Sequence, residues 1–517
     1  MKPFPDFRVS LFLIGAACAL TLWYAAAAGG NFPLDDSWIH QTYGRNLAQH
    51  GEWAFVRGQA SAASTSPLYT LVLALGYVLV VPFGVDFRVW THGLGALALG
   101  VTAVLAARLA YRMTEHRSAA LLIGGAVAAC WHLIWAAGSG METAIFAMLT
   151  LAAVETAASA RKGTVIGGSV FGMVAALLFL TRPEGILLAA LCGAAVLVRL
   201  VRARVSAARV VMYLGSAAVT FLVLVTPYLT FNLMVTGGLL PSTAAAKRSQ
   251  AAALFGLPYV ERVSRMILPL LAGGQFLLIP GVVGFIVTTA RQTTQRSASQ
   301  RDEKTEVRWL LIAWGFGLIA LYAAWLPLDM QHGRYVMPAL PALITAGGVG
   351  TLELVRAVRR SALARPVVTT LWLAAAVLTL VFTFTLGLQA YQRDVAIIDG
   401  DMVAGAHWLR DNLPADQVLA IHDIGAVGYF APRPLIDIGG LITPEIVPII
   451  RDGDAVWAYL EAQGAAYLMA YSYQTPNENP DDPRLCPLFV NDNPVTQAAG
   501  GSRLTIYRIT YTRDCSR

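Results

Sequence analysis

The chain has 517 residues, of which 56% are hydrophobic and only 13% charged, and its mean hydropathy is +0.58. Soluble domains carry about 25% charge, so this composition marks a polytopic membrane protein with an ordinary polar part attached. The net charge of +7 is no nucleic-acid signal: the arginines cluster in short loops between apolar runs, as the positive-inside rule describes.

The first apolar run, 9–28, follows a short basic N-terminus. It is too long for a signal-peptide core and lacks a convincing cleavage site, so it reads as a retained span. Further runs able to cross about 30 Å of hydrocarbon lie near 89–110, 118–137, 142–158, 164–181, 184–202, 208–232, 263–289, 308–326, 335–355 and 367–390. Run 67–82 is short and reads as a re-entrant or interfacial helix. The basic loops are Tyr111–Arg117, Arg161-Lys162, Arg199–Arg209, Arg291–Arg308 and Arg356–Arg365. They share the cytoplasmic side with the N-terminus only if 67–82 does not cross. The result is a polytopic α-helical protein of eleven spans with its C-terminus outside. Twelve spans, with Tyr111–Arg117 outside, is the alternative.

With eleven spans the outer face collects Asp35, Asp36, Glu142, Arg182, Glu184, Lys247, Arg248, His332 and Arg334. Charges at membrane level are functional by default, snorkelling being the plainer alternative. Residues 1–390 read as the membrane domain and 391–517 as an extracytoplasmic α/β domain. In the latter, Gln417–Phe430, Pro434–Ile438, Ala465–Ala470 and Arg503–Thr510 read as strands. Asp401–Leu413 and Asp454–Gln463 read as amphipathic helices, and Asn477–Pro483 as a polar loop. Cys18, Cys130 and Cys192 lie in apolar runs and read as packing residues. Cys486 and Cys515 could pair if this region is extracytoplasmic, or remain free thiols.

The outer loop 29–66 begins its chemistry at Leu34-Asp35-Asp36-Ser37-Trp38-Ile39-His40. Packing a membrane protein does not ask for adjacent aspartates there. Like charges repel, and one carboxyl rises in pKa unless a cation or metal is near. That is raw material for a general base or a metal ligand; a helix N-cap or a solvated loop start is the alternative. Trp38, Ile39, Tyr43 and Leu47 have helical spacing, and Gly51 reads as a C-cap. The aspartates thus open an amphipathic interfacial helix, whose dipole favours ionised carboxylate. Pro67 then starts the next apolar helix.

Other motifs follow in order: Gly140-Met141-Glu142-Thr143, Leu180-Thr181-Arg182-Pro183-Glu184-Gly185, Pro227-Tyr228 with Leu240-Pro241-Ser242-Thr243 and Lys247, Gly333-Arg334-Tyr335-Val336-Met337-Pro338, and Asp423-Ile424-Gly425-Ala426-Val427-Gly428-Tyr429. Together with 34–70 (the acidic pair, Tyr-x-Arg-Asn-Leu and Ser-Pro-Leu-Tyr) this ordered set resembles the polytopic glycosyltransferases of the GT-C fold. More closely, it resembles the bacterial branch of arabinofuranosyltransferases and of aminoarabinose and mannosyl transferases. The resemblance implies a polyprenyl-phosphate donor carrying one sugar. It implies inverting transfer to a glycan, lipid or protein acceptor on the outer face of a bacterial plasma membrane. It makes Asp35 the base, Asp36 a helper, Glu142 a second acid, and Arg182, Lys247 and Arg334 the phosphate partners. A divalent cation (Mg, Mn or Ca) would sit on Asp36 and Glu142. His332, Tyr43 and Glu184 are further site candidates. One departure is Ser64-Thr65-Ser66-Pro67, which has no cation where the aminoarabinose transferases have a lysine; phosphate binding then falls to other loops.

Each residue also has a structural reading. Glu142 can cap its helix, Arg182 can pair with Glu184, His332 and Arg334 can be interfacial loop residues, and Lys247-Arg248 a solvated loop. His40 reads as a surface residue. His422-Asp423, as neighbours on a strand, should point to opposite faces rather than form a dyad. Two rival functions are an oligosaccharide ligase using a lipid diphosphate and a lipid or sugar transporter or flippase. Transporters place charges and broken helices at the midplane and often repeat internally; here the charges sit at span ends and no repeat is visible.

Overall fold

Inside a bilayer an apolar segment satisfies its backbone by forming a helix, and the apolar runs of this chain do so. The computed structural model describes residues 4–160, 162–239, 243–295, 303–359, 361–362, 364–512 and 515. Arg161, Leu240-Pro241-Ser242 and residues 296–302, all within segments singled out above, lie outside the described residues. Among the described residues eight helices are long and apolar enough to cross a membrane: Phe7–Ala27, Phe87–Thr114, Gly185–Arg202, Ala207–Thr236, Gly274–Gln295, Glu303–Trp325, Met330–Ala357 and Ala364–Asn412. The bent pair Arg117–Ala128 and Trp131–Gly138 makes a ninth if counted as one span. Two shorter apolar helices, Thr143–Ser159 and Val165–Thr181, occupy the places of the other expected spans.

Three expected spans differ in detail. Run 118–137 is bent by 50° at its break. The break frees the following turn to dock sideways: the Trp131 indole donates to the Ala272 carbonyl, and His132 Nε2 lies 2.8 Å from that of Pro269. Run 263–289 is divided around Pro269 and Gly273, and its span starts only at Gly274. Run 367–390 does not stop. It continues through π turns at Thr383–Gly387 and Asp399–Val403 into Ala404–Asn412, so one long rod carries the chain from the membrane into its polar part.

The described residues of Tyr111–Arg117, Arg199–Arg209 and Arg291–Arg308 gather at one end of the bundle. Phe4 packs on Tyr111 with ring centroids 4.8 Å apart. Arg112 pairs with Glu155 at 2.6 Å and with Glu303, and Arg199 pairs with Glu306 at 2.6 Å. The N-terminus and Tyr111–Arg117 therefore share an end, and the 13-residue helix Pro67–Leu79 makes no net crossing between them. It lies along the Asp35–His50 helix; a Cβ on Gly44 would stand 3.0 Å from that of Leu73.

At the opposite end sits a five-stranded sheet of β1 (Leu419–Ile421), β2 (Leu435–Asp437), β3 (Tyr467–Tyr471), β4 (Leu485–Val490) and β5 (Leu504–Ile509), in the order β2-β1-β3-β5-β4. Strand β1 is parallel to β2 and β3, while β5 is antiparallel to β3 and β4. Alternation along β3 splits the core. Met469 and Tyr471 pack with Trp38, Tyr43 and Phe55 of the outer loop; Leu468 and Ala470 pack with Trp457 and Leu460 of the Gly453–Ala462 helix. The expected strand Gln417–Phe430 is a strand only over β1, and Gly425–Phe430 is a helix. Strand β4, not among the strands expected from sequence, contains Pro487; it is an edge strand, where proline is tolerated. Cys486 and Cys515 are disulfide-bonded, with Cα atoms 5.5 Å apart.

With the arginine-rich end expected on the cytoplasmic side, a labelling pattern follows. A cysteine placed at the exposed Asp481 should react with an impermeant maleimide applied from outside intact cells, and one at the exposed Ser118 should not. Labelling of Ser118 alone would invert the assignment of the two ends.

Candidate active site

The Asp35–His50 helix opens on its two aspartates after an extended Leu34, and closes at Gly51 with φ of 68°, the left-handed cap that glycine allows. Neighbours on a helix diverge by about 100°, and the two carboxylates face different partners. Asp35 turns to the sheet domain. Its Oδ2 accepts from the Gly425 amide at 2.6 Å and its Oδ1 from the Ala426 amide at 2.8 Å. It thereby caps the Gly425–Phe430 helix, which is why that apolar stretch is not a strand. The fit excludes side chains: a Cβ on Gly425 would stand 2.0 Å from the Asp35 carbonyl oxygen. Asp36 turns to the bundle. Its Oδ2 accepts from Arg334 Nη2 at 2.6 Å and from Lys247 Nζ at 3.3 Å. The Tyr335 hydroxyl lies 3.1 Å from Arg334 Nη2 and 3.3 Å from Lys247 Nζ, closing the cluster.

The partners separate the two acids electrostatically. Burial, then the negative charge of Asp423, pushes Asp35 up to about 7 against its two amide hydrogen bonds. Burial would raise Asp36 too, but Lys247 and Arg334 hold it well below the usual carboxylate range. One acid is therefore poised to exchange a proton near neutrality, and the other stays ionised.

Beside Asp36 a cavity of about 580 Å³ opens between span ends. Lys247, Arg334, Arg182, Glu142, Glu184 and Thr65 line its polar end, and Ile186, Leu187, Leu321, Trp325 and Leu326 its apolar wall. Arg182 Nε pairs with Glu184 at 2.8 Å, and its Nη2 donates to Tyr322 at 2.7 Å. Glu142 stands 3.8 Å from Arg182 and 3.6 Å from His40 Nε2. His40, expected at the surface, is 3% exposed, because the helix lays it against Glu142 and Ser64. Arg334 is 5% exposed, and its Nε and Nη1 have no hydrogen-bond partner among the described residues. A buried guanidinium with two unused N–H groups is expensive unless an anion completes it.

Six of the expected residues thus come together: Asp36, Glu142, Arg182, Glu184, Lys247 and Arg334, with Asp35 on the adjoining face of the same helix turn. Two lie elsewhere. Tyr43 bonds Ser61 Oγ at 2.6 Å and the Ala63 amide at 3.1 Å, fixing the loop. His332 bonds Asp394 at 2.7 Å between Trp131 and Trp135. The reading of His422 and Asp423 as opposed strand neighbours is corrected. Strand β1 ends at Ile421, the chain bends, and His422 Nδ1 meets Asp423 Oδ1 at 3.0 Å. Although burial opposes it, Asp423 raises His422 to about 9. Tyr335, Tyr322 and His40 were given no role from sequence; the one signal was that Tyr335 lies within the Gly-Arg-Tyr motif. Asp36 already faces two cations, and no group of three His, Cys, Asp or Glu side chains among the described residues could hold a metal.

The whole arrangement matches known structures over nearly its full length. ArnT from Cupriavidus metallidurans, an aminoarabinose transferase, aligns in its apo state with a TM-score of 0.55 at 14% identity, covering 93% of each chain. The same enzyme bound to undecaprenyl phosphate aligns with a TM-score of 0.55 at 14% identity over 98% of this chain and 99% of that one. The arabinofuranosyltransferase AftD from Mycobacteria aligns at 0.51 and 14% identity, over 97% of this chain and 40% of its own length. The fold is that of the GT-C glycosyltransferases. Residues 400–507 match a domain of unknown function (DUF8728). Among curated proteins no sequence match is found.

The Asp35 contact can be tested by crowding it. Gly425→Ala should destabilise the protein by about 1–3 kcal/mol, the usual cost of an extra methyl in a filled site. The readout is a lowered Tm in detergent; the exposed Gly464→Asn serves as control.

Proposed function

We propose that this GT-C protein transfers a single sugar from a polyprenyl-phosphate donor to an acceptor hydroxyl on the extracytoplasmic face of a bacterial plasma membrane, with inversion. The observation that carries this reading is Arg334: two buried, unpartnered N–H groups at the polar end of an otherwise apolar cavity. That combination suits a phosphate on a hydrocarbon tail. Arg334 can grip two phosphate oxygens, Lys247 and Arg182 add charge, and the tail lies along Ile186, Leu187 and Trp325. The undecaprenyl phosphate bound by ArnT supports the same donor class. The disulfide supports an oxidising compartment for the sheet domain.

In this scheme the acceptor hydroxyl gives its proton to Asp35 as its oxygen attacks the anomeric carbon. The bond from that carbon to the phosphate oxygen breaks on the opposite side. The polyprenyl phosphate leaves with the electron pair, held by the cations. Asp36 does not serve as base, because its cations keep it ionised and weakly basic; it positions Arg334 and Lys247. Two amides occupy two of the roughly four lone-pair sites on the Asp35 carboxylate, leaving the others for substrate.

Two experiments check this. Asp35→Asn should keep donor binding and lower kcat by about 10²-fold or more, the scale of a lost general base. In the wild type kcat/KM should fall as pH drops through about 7, since protonation removes the base, and the variant should lack that limb. Near-normal turnover in Asp35→Asn would remove Asp35 from the mechanism. Separately, Arg334→Ala should weaken undecaprenyl-phosphate binding by about 2 kcal/mol, the scale of a lost charged hydrogen bond, and Arg334→Lys should not restore it. Equal affinity in wild type and Arg334→Ala would reassign Arg334 to structure.

A further inference from the structure

A second cavity, of about 470 Å³, lies between the Thr243–Gln250 helix and the sheet domain. Gln250, His422, Arg451, Tyr473, Gln474 and Asn477 are among its lining residues. We propose that it is the acceptor subsite and that it takes a hydroxyl-rich glycan. This rests on the transferase reading above and narrows its acceptor from glycan, lipid or protein to glycan.

Position is the first argument. The Thr243–Gln250 helix separates the two cavities: Lys247 lines the first, while Ser249 and Gln250, less than a turn further on, line the second. The aspartate pair divides along the same line. Asp36 binds Lys247 and Arg334 of the first cavity. Asp35 is held by the Gly425 amide, three residues beyond His422 of the second. Asp423, whose charge acts on Asp35, meets His422 of the second cavity at 3.0 Å.

Chemistry is the second argument. The first cavity has a long apolar wall; the second interleaves Ile438, Ile450 and Val456 with amides, an imidazole, a guanidinium and the Glu478 carboxylate. Those groups are already oriented. Gln474 Oε1 accepts from the Tyr471 amide at 3.0 Å, and its Nε2 donates to Asp423 at 2.9 Å. Gln250 Nε2 lies 3.2 Å from His422 Nε2. Arg451 Nη2 donates to the Ser249 carbonyl at 2.7 Å, joining the domain to the helix. Fixed polar groups of both donor and acceptor type suit sugar hydroxyls, which need both.

The third argument is a platform. Tyr473 is 59% exposed, although it is a large aromatic. It stacks on Tyr471 with centroids 5.6 Å apart and planes 7° from parallel. Tyr471 is fixed in turn, because its hydroxyl donates to buried Asp401 at 2.8 Å. The outer face of Tyr473 is thus a rigid, half-wet aromatic surface, suited to the C–H face of a sugar ring.

The test uses the full chain in nanodiscs on an array of arabinan, mannan and galactan oligosaccharides, with undecaprenyl-phosphate binding measured in the same preparation. Wild type should bind at least one oligosaccharide class. Tyr473→Ala and Gln250→Ala should each weaken that binding roughly tenfold, Tyr473→Phe should keep it, and donor binding should be unchanged in all three. Intact donor binding without any oligosaccharide binding would overturn the inference alone. So would oligosaccharide affinity unchanged in both alanine variants, or displacement of the bound sugar by a peptide or a phospholipid headgroup. Loss of polyprenyl-phosphate binding in the wild type itself would instead bring down the transferase reading.

Discussion

Two carboxylates on consecutive residues cannot both be ionised and buried without compensation, and the way this chain compensates them organises the rest. Asp36 is met by two cations, one from the Thr243–Gln250 helix and one from the start of the Met330–Ala357 span. Asp35 is met by two backbone amides of the sheet domain. Three segments far apart in sequence are tied to one helix turn. Neither compensation works for the other acid. Amides supply partial charge and leave lone pairs open, so the carboxyl can still exchange a proton. Cations supply full charge and suppress that exchange.

The same tie explains why the long rod from Ala364 matters. A domain joined to a membrane bundle by a loose linker would move relative to it by default. Here the connection is helical from the last span to Asn412, with π turns instead of a break. Arg45 adds a second attachment, donating to the Tyr429 carbonyl at 2.8 Å and lying over the Tyr429 ring. The sheet domain is therefore held in register with the aspartate helix from two directions.

Much of this was legible in sequence wherever the signal is local. Continuous apolar runs force helices, arginine loops mark one end, and charges at span ends mark the other; Arg182, Lys247 and Arg334 were found that way and do share a cavity. What was not legible depends on distant partners. The Gly425–Phe430 stretch has strand-like composition, and its helix is capped by a carboxylate 390 residues earlier. The bend after Ala128 is matched by carbonyls of Pro269 and Ala272. His40 is buried only because Glu142 and Ser64 come from other segments. His422 and Asp423 meet because β1 stops two residues before Asp423, which no alternation pattern encodes.

In the proposed transfer, a base on the domain side of the helix has a chemical consequence. A proton-accepting group next to Lys247 and Arg334 would be held ionised and lose basicity, as Asp36 does. A base far from them could not reach the hydroxyl attacking the sugar that the phosphate carries. Consecutive helical positions solve both constraints, because they differ by about 100° in direction and only 1.5 Å in height. The domain amides then do for Asp35 what bulk water cannot in a closed site. They hold its orientation without quenching its basicity, while burial and Asp423 keep its affinity for a proton near the operating range. On this geometry the sheet domain supplies the environment that separates one aspartate from the other, and belongs to the site as much as the spans do.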